Sequence, residues 1–158
     1  MKLACVIEQV DTAAVGCPSA EEFERWITHV LAQVSDLDQA VPIEIGIRLV
    51  DKQESAELNS AFRKKTGPTN ILSFPYNESP AGLPVYLLGD LVICAPLVAE
   101  EAHQQNKPLL AHWAHLTVHG TLHLLGYDHI ADDDAADMEA LEIELLSELG
   151  FANPYAIE

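Results

Sequence analysis

Residues 43–50, IEIGIRLV, set an apolar side chain at nearly every second position. That is the two-residue period of a strand with one buried face. Residues 2–10, KLACVIEQV, are rich in branched apolar residues and predict another strand. Between them the spacing lengthens to that of a helix. Phe23, Trp26, Ile27, Val30 and Leu31 recur at three and four residues, and Ser19 followed by Glu22 predicts a capping box at the start. Asp51 followed by Glu54 predicts a second box and a helix to about Arg63, with Ala56, Leu58, Ala61 and Phe62 inward. The stretch TGPT, 66–69, breaks that helix.

Residues 70–75, NILSFP, predict a short strand ended by Pro75. Residues 77–84, NESPAGLP, read as a loop, and 85–94, VYLLGDLVIC, as the most apolar strand. Gly89 and Asp90 are out of place in its interior, which disfavours both residue types. Helices are predicted over 95–106 and 109–125, the second stopped by Gly126. Asp132, Asp133 and Asp134 open a last helix with Ala135, Met138, Leu141, Leu145 and Leu149 on one stripe. There is no repeat and no low-complexity linker. Strands and helices do not alternate strictly, so the pattern predicts an α+β fold: a small mixed sheet of about four strands packed with about five helices. Residues 1–158 are expected to form one domain.

Composition narrows the class. Hydrophobic residues make up 49% of the chain, enough for a folded core. No apolar run reaches membrane-spanning length, and the N-terminus turns polar too early for a secretory signal, so a cytoplasmic location is expected. Cys5, Cys17 and Cys94 form no CxxC spacing and are expected to be reduced, with Cys5 and Cys94 buried in strands. Acidic residues number 25 against 8 basic ones, a net charge of −17. Such a surface repels polyanions at long range, and an anionic substrate needs a local cationic patch. Arg63, Lys64 and Lys65 supply three of the eight cations in a row.

Chemistry concentrates in HGTLHLLGYDH, residues 119–129. A helix brings His119 and His123 to one face with Cβ atoms about 6 Å apart. Imidazoles so placed can share a zinc ion with bonds of about 2.0 to 2.1 Å. Gly126 can turn the chain back, and His129 beyond it would complete a three-histidine face with a position left open, the hallmark of a catalytic zinc. A rival set, His115, His119 and His123, spreads its ligands along the axis by about 12 Å, too far for one ion. His112 and His115 therefore fall to packing or to supporting the ligands from behind. Asp128 either orients a ligand imidazole or is a turn residue. The spacing matches the metzincin protease pattern HExxHxxGxxH except that Gly120 replaces the glutamate, which in those enzymes is the general base.

These residues resemble the YbeY endoribonucleases, bacterial rRNA maturation factors. HGTLHLLGYDH is similar to the family signature, LNSAFRKKTGPTNILSFPY (58–76) to the segment around the family's site arginine, and LLGDLVI, within the strand at 85–94, to a third block. The resemblance implies a single-strand-specific, metal-dependent endoribonuclease acting in 16S rRNA 3′-end maturation and ribosome quality control. It implies one zinc ion on His119, His123 and His129, with Arg63 in the substrate cleft. The implied partners are single-stranded RNA, chiefly rRNA, and the small ribosomal subunit with its assembly proteins, with no DNA and no membrane. Asn70 stands where many members carry aspartate, and Thr66 and Gly67 replace more charged residues.

Within that reading, zinc makes hydroxide available without a strong base, which suits the missing glutamate. His119 and His123 then belong to the catalytic centre as ligands. Arg63, otherwise a solvated residue at a helix end, has the forked donor to meet charge on phosphoryl oxygens. Lys64 and Lys65 would follow backbone phosphates. Ser73 is either a substrate hydrogen-bond partner or a plain strand residue, and Asp90 braces a turn or a ligand. Attack by hydroxide and attack by the RNA 2′-hydroxyl both remain open. Two other classes compete: a zinc peptidase, against which the missing glutamate counts, and a zinc-stabilised, non-catalytic ribosome-assembly factor. The latter would use the acid-rich stretch from Asp132 to Glu144 as its contact face.

Overall fold

A computed structural model of the chain describes residues 3–9, 16–35, 42–76, 86–127 and 132–156. In chain order the elements are β1 (Leu3–Gln9), α1 (Ala20–Val34), β2 (Ile43–Val50), α2 (Lys52–Arg63), β3 (Ile71–Pro75), β4 (Tyr86–Cys94), α3 (Ala95–Gln104), α4 (Leu109–Leu124) and α5 (Asp132–Glu148). The strands form one sheet in the order β1-β2-β4-β3. β1 and β4 run parallel to β2, and β3 runs antiparallel to β4. This is the mixed α+β architecture that the pattern predicts. The predicted loop at 77–84 lies outside the described residues. No helix among the described residues is long and apolar enough to cross a membrane.

α4 occupies the centre. Trp113, Ala114, Leu116, Val118, Leu122 and Leu124 are all buried, as are Thr117 and Thr121. The two threonines satisfy their hydroxyls within the helix, donating to the carbonyls of Trp113 at 2.8 Å and Thr117 at 2.7 Å. Trp113 packs edge-on against Phe23 of α1, with ring centroids 6.1 Å apart. The apolar stripe of α1 is buried as its spacing predicts, and Ser19 and Glu22 close a reciprocal capping box.

Two details of α2 differ from expectation. Asp51 does cap the helix, accepting from the Glu54 backbone N–H at 2.9 Å. The Glu54 carboxylate does not reach back, because Arg48 holds it with bonds of 2.7 and 2.9 Å. The predicted apolar face of α2 is covered only in part: Ala56 and Leu58 are half-buried, Leu58 against a small core of Val50, Leu72, Val92 and Cys94. Ser55 and Asn59 are buried, whereas Ala61 is exposed and Phe62 is 64% exposed. The reason is the segment that follows. Ser55 Oγ donates to the Thr69 carbonyl at 2.8 Å and accepts from its N–H at 3.0 Å, and Asn59 Nδ2 donates to the Gly67 carbonyl at 2.8 Å. The polar face thus pins the turn between α2 and β3.

Gly89 and Asp90, anomalous in an apolar strand, both have structural causes. The β2–β4 register shifts between Glu44 and Ile45, which pair with Leu87 and Gly89. Gly89 has φ of 150°, and a Cβ there would stand 2.6 Å from the Phe74 carbonyl oxygen and 2.8 Å from Leu124 Cδ2. Its missing side chain lets β3 and the end of α4 close on β4. Asp90 lies over Gly46 and accepts from the Tyr76 hydroxyl at 3.4 Å. The three cysteines are free thiols, Cys94 buried in β4 and Cys5 half-buried in β1, where burial pushes its thiol up to about 12.

Candidate functional site

The stop of α4 is built as predicted. Gly126 takes φ of 99°, its N–H donates to the His123 carbonyl at 3.0 Å, and the Tyr127 N–H donates to the Leu122 carbonyl at 3.0 Å. That pair of bonds is a Schellman motif, which glycine favours because it bears no Cβ. His123 therefore stands on the last turn of α4, and the chain turns away directly after it.

His119 and His123 face one another there. Their Nε2 atoms are 3.1 Å apart and their ring centroids 4.5 Å. Behind them sits Glu142 of α5, a fully buried carboxylate. His119 Nδ1 donates to Glu142 Oε1 at 2.5 Å, and His115 Nε2 lies 3.2 Å from Glu142 Oε2 and 3.2 Å from the Tyr155 hydroxyl. Tyr155 also donates to Oε2 of the same carboxylate. Burial alone pushes the Glu142 carboxyl up; the hydrogen bonds from His115, His119 and Tyr155 outweigh it and bring it down to about 2. The Glu142 carboxylate holds the His119 ring by Nδ1, which turns its Nε2 toward His123.

Nothing in the sequence pattern singles out Glu142 as a site residue; it falls within the acid-rich stretch from Asp132 to Glu144. Its position carries a signal all the same. It falls four residues after Met138 and three before Leu145, on the stripe that α5 buries. Glu142 is therefore not available to a contact face along Asp132 to Glu144. His115 stands behind the histidine pair, its Nε2 against the same carboxylate. His112 joins a separate network, its Nε2 donating to Glu101 Oε1 at 2.9 Å, with Asn70 Nδ2 donating to the same carboxylate at 3.2 and 3.4 Å. Burial pushes the Glu101 carboxyl up, but the bonds from His112 and Asn70 hold it below the usual carboxylate range. An aspartate at 70 would set a second carboxylate against Glu101, so this amide matches its surroundings.

The histidine pair opens on a cleft of about 940 Å³ that Arg63, Lys65, Ser73 and Tyr127 also line. Arg63 is exposed, and no described residue forms an ion pair with it. Lys64 behaves otherwise. It takes the left-handed conformation, φ 58°, and its ammonium donates to the Ala61 carbonyl at 3.3 Å, while Lys65 lines the cleft. Ser73 lines the cleft but donates its hydroxyl to the Gly120 carbonyl at 3.2 Å, which leaves it only acceptor capacity for a ligand. Gly120 is where α4 presses on the sheet. A Cβ there would stand 2.6 Å from Ile71 Cδ1 and 2.9 Å from Leu91 Cδ2. A glutamate at this position has no space toward the sheet.

Asp128 and His129 lie outside the described residues. Among the described residues no group of three or more histidine, cysteine or acidic side chains is arranged to hold a metal ion.

Fold and cleft together define an α+β protein that presents paired histidines, at the end of a buried helix, to a cleft edged by cations. The family model for endoribonuclease YbeY matches residues 8–150. The chain belongs to the YbeY endoribonuclease family, as its motifs anticipate. The solution structure of TM1509 from Thermotoga maritima is similar to it, with 22% sequence identity over 98% of this chain and 100% of that one and a TM-score of 0.51. At that identity the likeness bears on the fold alone.

Proposed function

We propose that this chain is a zinc-dependent endoribonuclease that cuts single-stranded RNA in the cytoplasm, acting in 16S rRNA 3′-end maturation and ribosome quality control. The observation that carries the metal reading is the 3.1 Å between the Nε2 atoms of His119 and His123. Two nitrogens bound tetrahedrally to one zinc at about 2.0 to 2.1 Å stand roughly 3.3 Å apart. The pair fits the ion, and the buried Glu142 supplies the acceptor that ligating histidines require on their other nitrogen. His119, His123 and His129 are the proposed ligands.

The chemistry that zinc supplies when bound is polarisation of a phosphoryl oxygen and acidification of water toward a pKa of about 7. The chain's own residues do the rest. Glu142 fixes the tautomer and orientation of His119. The Arg63 guanidinium donates to the non-bridging oxygens of the scissile phosphate, where charge grows in the transition state. Lys65 meets a neighbouring phosphate, and Ser73 accepts from a sugar hydroxyl. The tight approach of Gly120 to Ile71 and Leu91 counts against a glutamate-based peptidase.

The test is metal analysis of the purified protein beside His119→Ala, His123→Ala and His129→Ala, with cleavage of an unstructured rRNA fragment measured with and without chelator. We expect about one zinc per wild-type chain, loss of zinc in each variant, and cleavage that stops with chelator. Full zinc content in the His123 variant removes His123 from the ligand set. Cleavage that ignores chelator and persists in Arg63→Glu is a contaminant's, and the non-catalytic assembly-factor reading then stands. A 2′,3′-cyclic phosphate product end assigns the first step to the RNA 2′-hydroxyl.

A further inference from the structure

Phe62 occupies the last turn of α2, directly before Arg63. At 64% exposure it is the most exposed large apolar side chain among the described residues. Phe74 of β3 meets it edge-on, with centroids 5.2 Å apart and ring planes at 75°. Both rings line the cleft of His119 and His123, and both also line the shallower groove on its far side, so they form the ridge between the two. Packing does not account for the placement. The small core beneath α2, of Val50, Leu72, Val92 and Cys94, is covered by Leu58 and Phe74. A ring that closed that core would be buried. Phe62 is instead braced by a second ring and left open to solvent.

Electrostatics says what such a ring is suited to. The chain carries −17, which repels a polyanion at long range. Arg63 and Lys65 are the cations that line the cleft. Two phosphate contacts on a single strand give a salt slope of only about −1.4, a weak ionic contribution. Affinity for RNA must then rest more on uncharged contacts. Every base has an aromatic face, and stacking on an exposed aromatic ring needs no sequence readout. Bases within a duplex have their faces already covered, so such a contact also selects single strands.

We propose that Phe62, held in place by Phe74, is a nucleobase-stacking subsite, on which the base beside the scissile phosphate lies while Arg63 grips the phosphate. The inference rests on the endoribonuclease reading.

The test uses the metal-loaded protein and a short 2′-O-methyl oligoadenylate, which keeps bases and phosphates and blocks attack by the 2′-hydroxyl, compared with an abasic strand of equal length. In Phe62→Trp the new indole reports stacking directly, because Trp26 and Trp113 are each 1% exposed and give a constant background. Its emission is expected to be quenched by oligoadenylate and not by the abasic strand. Phe62→Leu is expected to weaken oligoadenylate binding roughly 10- to 100-fold with no change in salt slope. Wild-type affinity in Phe62→Leu, or an unquenched indole at saturation, overturns the subsite; with cleavage of RNA intact, the nuclease reading survives that result. A wild-type protein that neither binds nor cuts single-stranded RNA overturns both.

Discussion

His119 Nδ1 donates a 2.5 Å hydrogen bond to Glu142 Oε1, which joins the end of α4 to the middle of α5 across 23 residues of sequence. The carboxylate is fully buried and takes further bonds from His115 and Tyr155. A charge in that position is stable only because its partners surround it. Its consequence is at the far side of the imidazole, where Nε2 stands 3.1 Å from Nε2 of His123.

Glu142→Gln keeps the shape of this side chain and removes its charge. Zinc affinity, measured by competition with a coloured chelator, should fall about 10- to 100-fold while helical circular dichroism is retained. Unchanged affinity would reduce Glu142 to a packing group.

Arg63 is exposed and lines the cleft, so its replacement does not disturb the core. Arg63→Glu should keep its zinc and lose cleavage by roughly a hundredfold to a thousandfold, the scale seen when a donor to developing charge is removed. Cleavage at the wild-type rate would take Arg63 out of the reaction.

Gly120 sits against Ile71 and Leu91, with room for no side chain larger than hydrogen. Gly120→Ala gains about 1 kcal/mol of helix propensity against about 1 to 3 kcal/mol of overpacking, a net destabilisation of up to about 2 kcal/mol. Gly120→Glu adds a buried carboxylate and should destabilise by about 3 kcal/mol or more, read from urea unfolding. A Gly120→Glu protein as stable as the wild type would show that the sheet yields at this position.

Glu101 has a carboxyl held below its ordinary range by His112 and Asn70. A carboxyl lowered by folding contributes stability that is present above the unfolded value, about 4.3, and lost as pH falls through the folded value. The unfolding midpoint of the wild type should therefore fall below about pH 4 more steeply than that of Glu101→Gln. Parallel curves for the two proteins would show that Glu101 makes no such contribution.

The local features of this protein are written in its local sequence. Alternation marks β2, threefold and fourfold spacing marks α1 and α5, and Gly126 marks the end of α4, because each depends on residues within a turn or two of one another. The pairing of His119 with His123 belongs to the same class, since one helical turn sets it. Tertiary packing decided the rest. α2 has apolar residues at helical spacing, yet Ser55 and Asn59 face inward because Thr69 and Gly67 offer them partners. Lys64 and Lys65 are neighbours in sequence, yet with a left-handed backbone at Lys64 it is Lys65 that lines the cleft. The acceptor for His119 is Glu142, on another helix and 23 residues further along the chain. Periodicity reports which face of an element is covered. It does not report what lies across from that face, and hydrogen bonds between distant residues exist only once the helices have packed.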